Sequence, residues 1–151
     1  SDICRDTLRF MPGAATAVRT MRKHGVRCVL VSGGFTRFTA YVREHLGFDV
    51  DEANELEVVD GRLTGRLAGP VRDADSKLEA LGRHCRELGI DPAEALTVGD
   101  GANDVPMLLA AGLGVAFRAH PRVQTAVPVN IRHADLTALL YLQGYPRASW
   151  A

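Results

Sequence analysis

The chain has 151 residues, a length that favours a single domain with a substantial core. Its 18 basic side chains balance 18 acidic ones, so charge gives no reason to expect nucleic acid or an anionic membrane surface as a partner. Hydrophobic residues make up 46 %, as in globular proteins, yet no apolar run approaches the roughly 20 residues of a membrane-spanning helix.

Helix-like and strand-like segments alternate from the start of the chain. Pro12 and Gly13 precede apolar residues at helical spacing and signal a helix start, and Gly25 suits the helix end. The next run is nearly all apolar, as in a strand covered on both faces, until Ser32-Gly33-Gly34 breaks it. In chain order we expect a helix at 14–24, a strand at 26–31, a helix at 37–46 capped by Thr36, and a hairpin at 55–67 turning at Asp60-Gly61.

The alternation continues through the second half of the chain. The sequence predicts a helix at 76–88, a strand at 95–98, a helix at 106–111, a strand at 112–117, a helix at 121–126, a strand-like piece at 127–131 and a last helix at 134–143. This order is typical of an α/β fold, a Rossmann-like parallel sheet with helices on both faces. We expect one core domain at 1–143 and a loose tail at 144–151.

The cysteines and the first residues bear on the cellular compartment. Cys4, Cys28 and Cys85 are odd in number, far apart and without CxxC spacing, which disfavours a disulfide framework or a zinc cluster. The opening residues are polar and show no signal-peptide pattern. We therefore expect a cytoplasmic protein.

Two loops follow predicted strands at the edge where such sheets bind ligands. In GDGAND (99–104), Asp100 and Asp104 suit a hard cation such as Mg²⁺, although Asp104 could equally cap the helix that follows. In VLVSGG (29–34), Ser32 and two glycines offer a hydroxyl and backbone N–H groups to an anion, although an ordinary turn would have the same composition.

Lys77 is a further candidate because it lies near a helix start, where the helix dipole disfavours a cation. A lysine there can serve to meet an anion. The simpler interpretation from position alone is a solvated surface lysine. The sequence leaves both open.

Taken together, three stretches resemble the haloacid-dehalogenase-like phosphatases, and among these the phosphoserine phosphatases most closely. VSGGFTRF (31–38) resembles the second motif of that family, DADSK (73–77) the third and VGDGANDVPML (98–108) the fourth. The similarity extends over nearly the whole chain, from about Leu8 to about Leu142.

The resemblance implies a Mg²⁺-dependent enzyme that hydrolyses O-phosphoserine through an aspartyl-phosphate, in serine biosynthesis. It implies that the Ser32 hydroxyl, the Gly33 backbone and Lys77 hold the phosphoryl oxygens, and that Asn103 contacts the phosphoryl or Lys77 region. Asp100 would bind the metal, and Asp104 would support the metal shell through water.

The first motif of the family, D-x-D-S/T-T after a hydrophobic strand, carries its nucleophile and cannot be found. Residues 73–76 match D-x-D-S as a string, but no good strand precedes them and Lys77 of the third motif follows at once; 49–51 are a weaker match. The chain therefore resembles an enzyme without its central strand and most of its helical cap.

A missing central strand would leave neighbouring strands unpaired, so we expect a missing N-terminal segment or a second chain to fill the gap. On this interpretation the isolated chain is inactive. The alternatives are a related hydrolase or phosphotransferase for another small phosphomonoester, and a non-catalytic protein that binds phosphate or metal.

Overall fold

The computed structural model describes residues 12–69, 71 and 73–151. The chain divides into two compact units, the first formed by the residues up to Val71 together with Ala134–Ala151 and the second by Arg72–His133. Each unit contains a three-stranded sheet and helices, so the predicted α/β class with parallel strands is confirmed. Among the described residues, no helix combines the length and the apolar character needed to cross a bilayer.

The elements follow the predicted order. The first unit contains α1 (Ala14–Lys23), β1 (Val29–Phe35), α2 (Thr36–Leu46), β2 (Val50–Val59) and β3 (Arg62–Ala68). The second contains α3 (Ala74–Leu88), β4 (Leu96–Gly99), α4 (Val105–Ala110), β5 (Leu113–Phe117), α5 (Pro121–Ala126) and β6 (Val129–Ile131), with short 3₁₀ turns at Pro92–Glu94 and Ala102–Asp104. The chain then completes the first unit with α6 (Ala138–Leu142) and a 3₁₀ turn at Arg147–Ser149.

In the first sheet β2 lies between its two neighbours, parallel to β1 and antiparallel to β3. The predicted hairpin is present, and its two turn residues, Asp60 and Gly61, both have positive φ (52° and 75°). That pair of angles matches the twist of the flanking strands, which is why Asp-Gly is a strong hairpin signal.

Two predicted boundaries in this unit are wrong. Thr36 does not cap α2, because the helix already includes it and Phe35 occupies the cap position without a side-chain bond. The last helix is shorter than 134–143 and begins at Ala138. The Asp135 carboxylate accepts hydrogen bonds from the backbone N–H and the hydroxyl of Thr137, which holds the preceding residues in a turn.

Packing around α1 brings the last residues of the chain into the first unit. Ala17, Val18 and Met21 bury one face of the helix. On the same helix the Thr20 hydroxyl accepts a hydrogen bond from the Ala151 N–H at 2.8 Å. The segment 144–151 therefore contacts α1.

The second sheet is fully parallel, with β5 between β4 and β6. At its centre Val115 and Ala116 have no exposed surface, and Leu108, Val123 and Val127 form a buried cluster with Ala116. The 3₁₀ turn at Ala102–Asp104 leads from β4 into α4, so the two acidic residues of GDGAND follow directly after β4.

Each sheet has one edge strand that contains or leads directly into a predicted site loop. Within the described residues, β1 pairs only with β2, and β4 pairs only with β5. An edge strand presents unpaired N–H and C=O groups along one side.

Candidate functional site

Ser32, Gly33 and Gly34 form a bulge inside β1. The predicted end of the strand at residue 31 is wrong, because pairing is regular up to Val31 opposite Glu52 and resumes at Phe35 opposite Asn54. Three residues on β1 therefore span the distance that one residue covers on β2, and their backbone must arch out of the ladder. The bulge carries Ser32 to a partly exposed position.

Two hydrogen bonds hold the peptide group between the two glycines. The Gly34 N–H donates to the Ser32 Oγ at 2.9 Å, and the Asn54 Nδ2 donates to the Gly33 carbonyl at 2.7 Å. Asn54 is itself buried, with 7 % of its surface exposed. Because the Ser32 oxygen is an acceptor for Gly34, its own O–H remains available as a donor.

The helix start at residues 73–76 explains the string that resembles the missing motif. The Asp73 carboxylate accepts a hydrogen bond from the Ser76 N–H at 3.0 Å, and the Ser76 Oγ accepts one from the Asp73 N–H at 3.2 Å. These bonds from Ser76 hold the pKa of the Asp73 carboxyl below its ordinary value. Asp73 is thus engaged as the cap of α3, which agrees with assigning DADSK to the third motif.

One turn into α3, Lys77 points inward. Only 7 % of its surface is exposed, and its Nζ lies 2.5 Å from the Asp104 Oδ1. The interpretation of Lys77 as a solvated surface lysine is therefore wrong. A buried cation needs a close anion, and Asp104 supplies it.

Asp104 connects Lys77 to the turn after β4. While its Oδ1 faces Lys77, its Oδ2 accepts hydrogen bonds from the backbone N–H groups of Asp100 and Gly101, each at 3.1 Å. The side chain makes no cap bond to α4, so the capping alternative is wrong. Gly99 allows the close approach, because a Cβ there would lie 2.5 Å from the Asp104 Cβ.

The Asp100 side chain is exposed at the carboxyl end of β4, and the backbone carbonyl of Asp100 accepts a hydrogen bond from the His120 N–H at 3.3 Å. An accessible carboxylate at a strand end fits one oxygen ligand of Mg²⁺, a cation that keeps several waters. Both Asp104 oxygens already have donors, so direct coordination by Asp104 fits less well than the predicted role through water. In the part of the chain that the structure describes, no three His, Cys, Asp or Glu side chains form a complete metal site.

The predicted residues fall into two groups. Lys77, Asp100 and Asp104 are brought together in the second unit, with exposed Asn103 in the same turn, while Ser32 and Gly33 lie in the first. Asn54 was missed by sequence reasoning. Its signal is a polar amide within a β-prone run, where asparagine is normally disfavoured.

The family model of the haloacid dehalogenase-like hydrolases matches residues 2–109, and the chain belongs to this family. It is similar to phosphoserine phosphatase SerB2 of Mycobacterium tuberculosis, with 43 % identity over 146 residues that cover 97 % of this chain and 36 % of the relative.

The fold is similar to that of solved phosphatases. A probable phosphoserine phosphatase from Vibrio cholerae superposes with a TM-score of 0.88 at 35 % identity, covering 98 % of this chain and 46 % of that one. A phospho-aspartyl intermediate analogue of phosphoserine phosphatase superposes with a TM-score of 0.80 at 35 % identity, covering 89 % and 64 %. The chain thus spans less than two thirds of each of these proteins.

Proposed function

We propose that this chain is part of a cytoplasmic phosphomonoester hydrolase that releases phosphate from O-phosphoserine with the aid of Mg²⁺. The observation that carries the proposal is the link from the buried Lys77 through Asp104 to the turn that presents Asp100. Through Asp104, the Lys77 ammonium group, which can bind phosphoryl oxygens, is connected to the turn whose Asp100 carboxylate can bind a metal ion. The similarity to phosphoserine phosphatases supports the choice of substrate.

Each residue has a role that follows from its donors and acceptors. An ammonium group has three N–H donors, and the bond to Asp104 uses one, so Lys77 retains donors for a phosphoryl oxygen. The Ser32 hydroxyl, with its oxygen engaged by Gly34, donates to another phosphoryl oxygen. Asn103 contacts the phosphoryl or Lys77 region from the same turn as Asp100. These groups position the phosphate and offset its charge, which is the main demand of phosphoryl transfer.

The Asp100 carboxylate would hold Mg²⁺, and Asp104 would support the ion through water. When bound, Mg²⁺ offsets the negative charge on the phosphoryl oxygens. The protein's contribution is to keep the Asp100 backbone fixed, which the Asp104 Oδ2 does by accepting its N–H. Serine biosynthesis is the role that this substrate implies.

The nucleophile is proposed to lie on a segment other than this chain. The solved phospho-aspartyl analogue supports an aspartyl-phosphate, in which an aspartate oxygen attacks phosphorus and serine leaves with its oxygen. Water then cleaves the acyl phosphate and regenerates the carboxylate. The edge of β4, the strand that leads to Asp100, suits a strand that brings this aspartate, because it presents unpaired backbone groups in the described structure.

A hybrid enzyme tests the activity. In the M. tuberculosis relative, this chain would replace the region that it matches, and phosphate release from O-phosphoserine and other small phosphomonoesters would be measured with and without Mg²⁺. We expect activity with Mg²⁺ that falls at least about 100-fold on Lys77→Met or Asp100→Asn, since each removes a charge that faces the transferred group. The isolated chain should release no phosphate, and turnover by it would refute the assignment of the nucleophile elsewhere.

A non-catalytic phosphate-binding protein is the second candidate, because Ser32 and Lys77 can offer donors to phosphate whether or not a nucleophile is present. The coding sequence upstream separates the two, because a D-x-D-S/T-T segment in the same reading frame supports the enzyme. Size-exclusion chromatography with intact mass spectrometry tests the missing element. A stable monomer of this chain alone would contradict the proposal that a further segment or chain completes the sheets.

A further inference from the structure

We propose that Asn54 is a positioning residue for phosphate binding, which it serves by fixing the peptide group between Gly33 and Gly34. The inference rests on the proposed phosphate site at Ser32 and deepens it. None of the family motifs in this sequence includes Asn54, and its Nδ2 donates to the Gly33 carbonyl.

The geometry of the bulge creates the need for such a residue. Pairing between β1 and β2 lapses at Ser32, Gly33 and Gly34 and resumes at the rung formed by Phe35 and Asn54. The arched backbone therefore lacks the regular ladder bonds that fix peptide orientation elsewhere in the sheet. Asn54 lies on the first rung after the bulge, and its side chain reaches back to the Gly33 carbonyl at 2.7 Å.

Orientation of that peptide decides what the bulge presents to an anion. Glycine on both sides makes a peptide flip sterically inexpensive. A flip would turn the Gly33 carbonyl oxygen outward, where it repels phosphate, and would break the bond from the Gly34 N–H to the Ser32 Oγ. By holding the carbonyl inward, Asn54 keeps the Ser32 oxygen an acceptor for Gly34 and its hydroxyl a donor for phosphate.

The chemistry of Asn54 fits this role better than simple core packing. It is buried beside Ala53 in β2, where an apolar residue would pack without an amide to satisfy. Asn130 in β6 offers a matched comparison, since its Nδ2 also donates to backbone carbonyls, those of Gln124 and Val127, but belongs to the second unit and makes no bond to the glycine bulge.

The experiment measures binding of inorganic phosphate by calorimetry to the hybrid enzyme, in which the M. tuberculosis relative supplies the remaining segment, together with amide hydrogen exchange at Gly34 by NMR. Four variants are compared with the unchanged hybrid enzyme: Ser32→Ala, Asn54→Ala, Asn54→Asp and Asn130→Ala. We expect Asn54→Ala to weaken phosphate binding by about tenfold, the effect of one hydrogen bond that holds a donor in place, and to speed exchange at Gly34. Asn54→Asp keeps the volume but sets an acceptor against the carbonyl, so its loss should be at least as large.

The control separates positioning from general destabilisation. Asn130→Ala should lower the free energy of unfolding to a similar extent while leaving phosphate affinity and Gly34 exchange unchanged. If Asn54→Ala does not fold, Asn54→Asp carries the same comparison. Two results overturn the role of Asn54 alone. Phosphate binding is lost in Ser32→Ala but kept in both Asn54 variants, or amide exchange at Gly34 is unchanged in both Asn54 variants. No phosphate binding by the unchanged hybrid enzyme overturns the phosphate site and this inference together.

Discussion

The buried pair of Lys77 and Asp104 makes the sharpest prediction about stability. Lys77→Met keeps most of the side-chain length but leaves the Asp104 carboxylate, 6 % exposed, without its cation. Breaking a buried ion pair from one side costs about 3–5 kcal/mol, because the remaining charge stays in a poorly solvated place. We expect a loss of unfolding free energy in that range.

Asp104→Ala should cost more than Lys77→Met. It leaves the ammonium group buried and also removes the acceptor for the N–H groups of Asp100 and Gly101. Part of each N–H can reach water in the opened turn, so the additional loss should be about 1–2 kcal/mol. The double variant has no orphaned charge, and its loss should be smaller than the sum of the single losses by about 1.5–3 kcal/mol.

Urea denaturation followed by far-ultraviolet circular dichroism measures all three variants on one scale. The exposed pair of Glu79 and Arg83, one turn apart on α3, provides the control, and its coupling should be about 0.3–0.5 kcal/mol. Single losses that simply add for Lys77 and Asp104, within about 0.3 kcal/mol, would refute the view that the two charges depend on each other.

Two further predictions concern the two cores. Burial, assisted by the Asp49 carboxylate, raises the pKa of the Cys28 thiol from 9.0 to about 11. The folded state therefore favours the neutral thiol, which adds at most about 2–3 kcal/mol to the free energy of unfolding. This stabilisation is complete below pH 9 and is lost as the pH rises towards 11. Denaturation between pH 9 and 11 should show a decline in the free energy of unfolding that Cys28→Ser removes. The same decline in the Cys28→Ser variant would contradict this prediction. In the second unit Gly114→Ala should destabilise the fold by about 3 kcal/mol or more, because the new Cβ would lie 1.8 Å from the Leu108 carbonyl oxygen. Gly82→Ala, inside α3, meets only the flexible end of Arg86 and should stabilise the fold by up to about 1 kcal/mol. Thermal denaturation measures both variants, and a change in melting temperature of the same sign in the two would contradict the packing argument.

The order of elements was predictable because hydrophobic periodicity and turn residues are local properties. The run 26–31, the Asp60-Gly61 turn and the helix over 121–126 each carry such a signal, and each is found within a few residues of its expected place. Boundaries failed where hydrogen bonds that the hydrophobic pattern does not report decided where an element begins or ends. Asp135 shortened the last helix, and pairing with β2 carried β1 through its glycines to Phe35.

The candidate site likewise has features that the sequence predicts and features that depend on distant contacts. Motif residues such as Ser32, Lys77 and Asp100 stand out in the sequence because their types and order are distinctive. The buried state of Lys77 could not be found from its position on a helix, since position alone favoured solvent. It depends on Asp104, 27 residues further along, which folds back to meet it.

By itself the sequence determined the alternation of helices and strands, the placing of its polar loops after strands, and the residue types offered to phosphate and metal. The tertiary structure alone decided which of those side chains meet: Lys77 with Asp104, Asp104 with the turn at Asp100, and Asn54 with the glycine bulge. The physical reason is that periodicity reports only which face of a segment is apolar. Hydrogen bonds and ion pairs between distant residues depend on register and burial, and these exist only once the chain has folded.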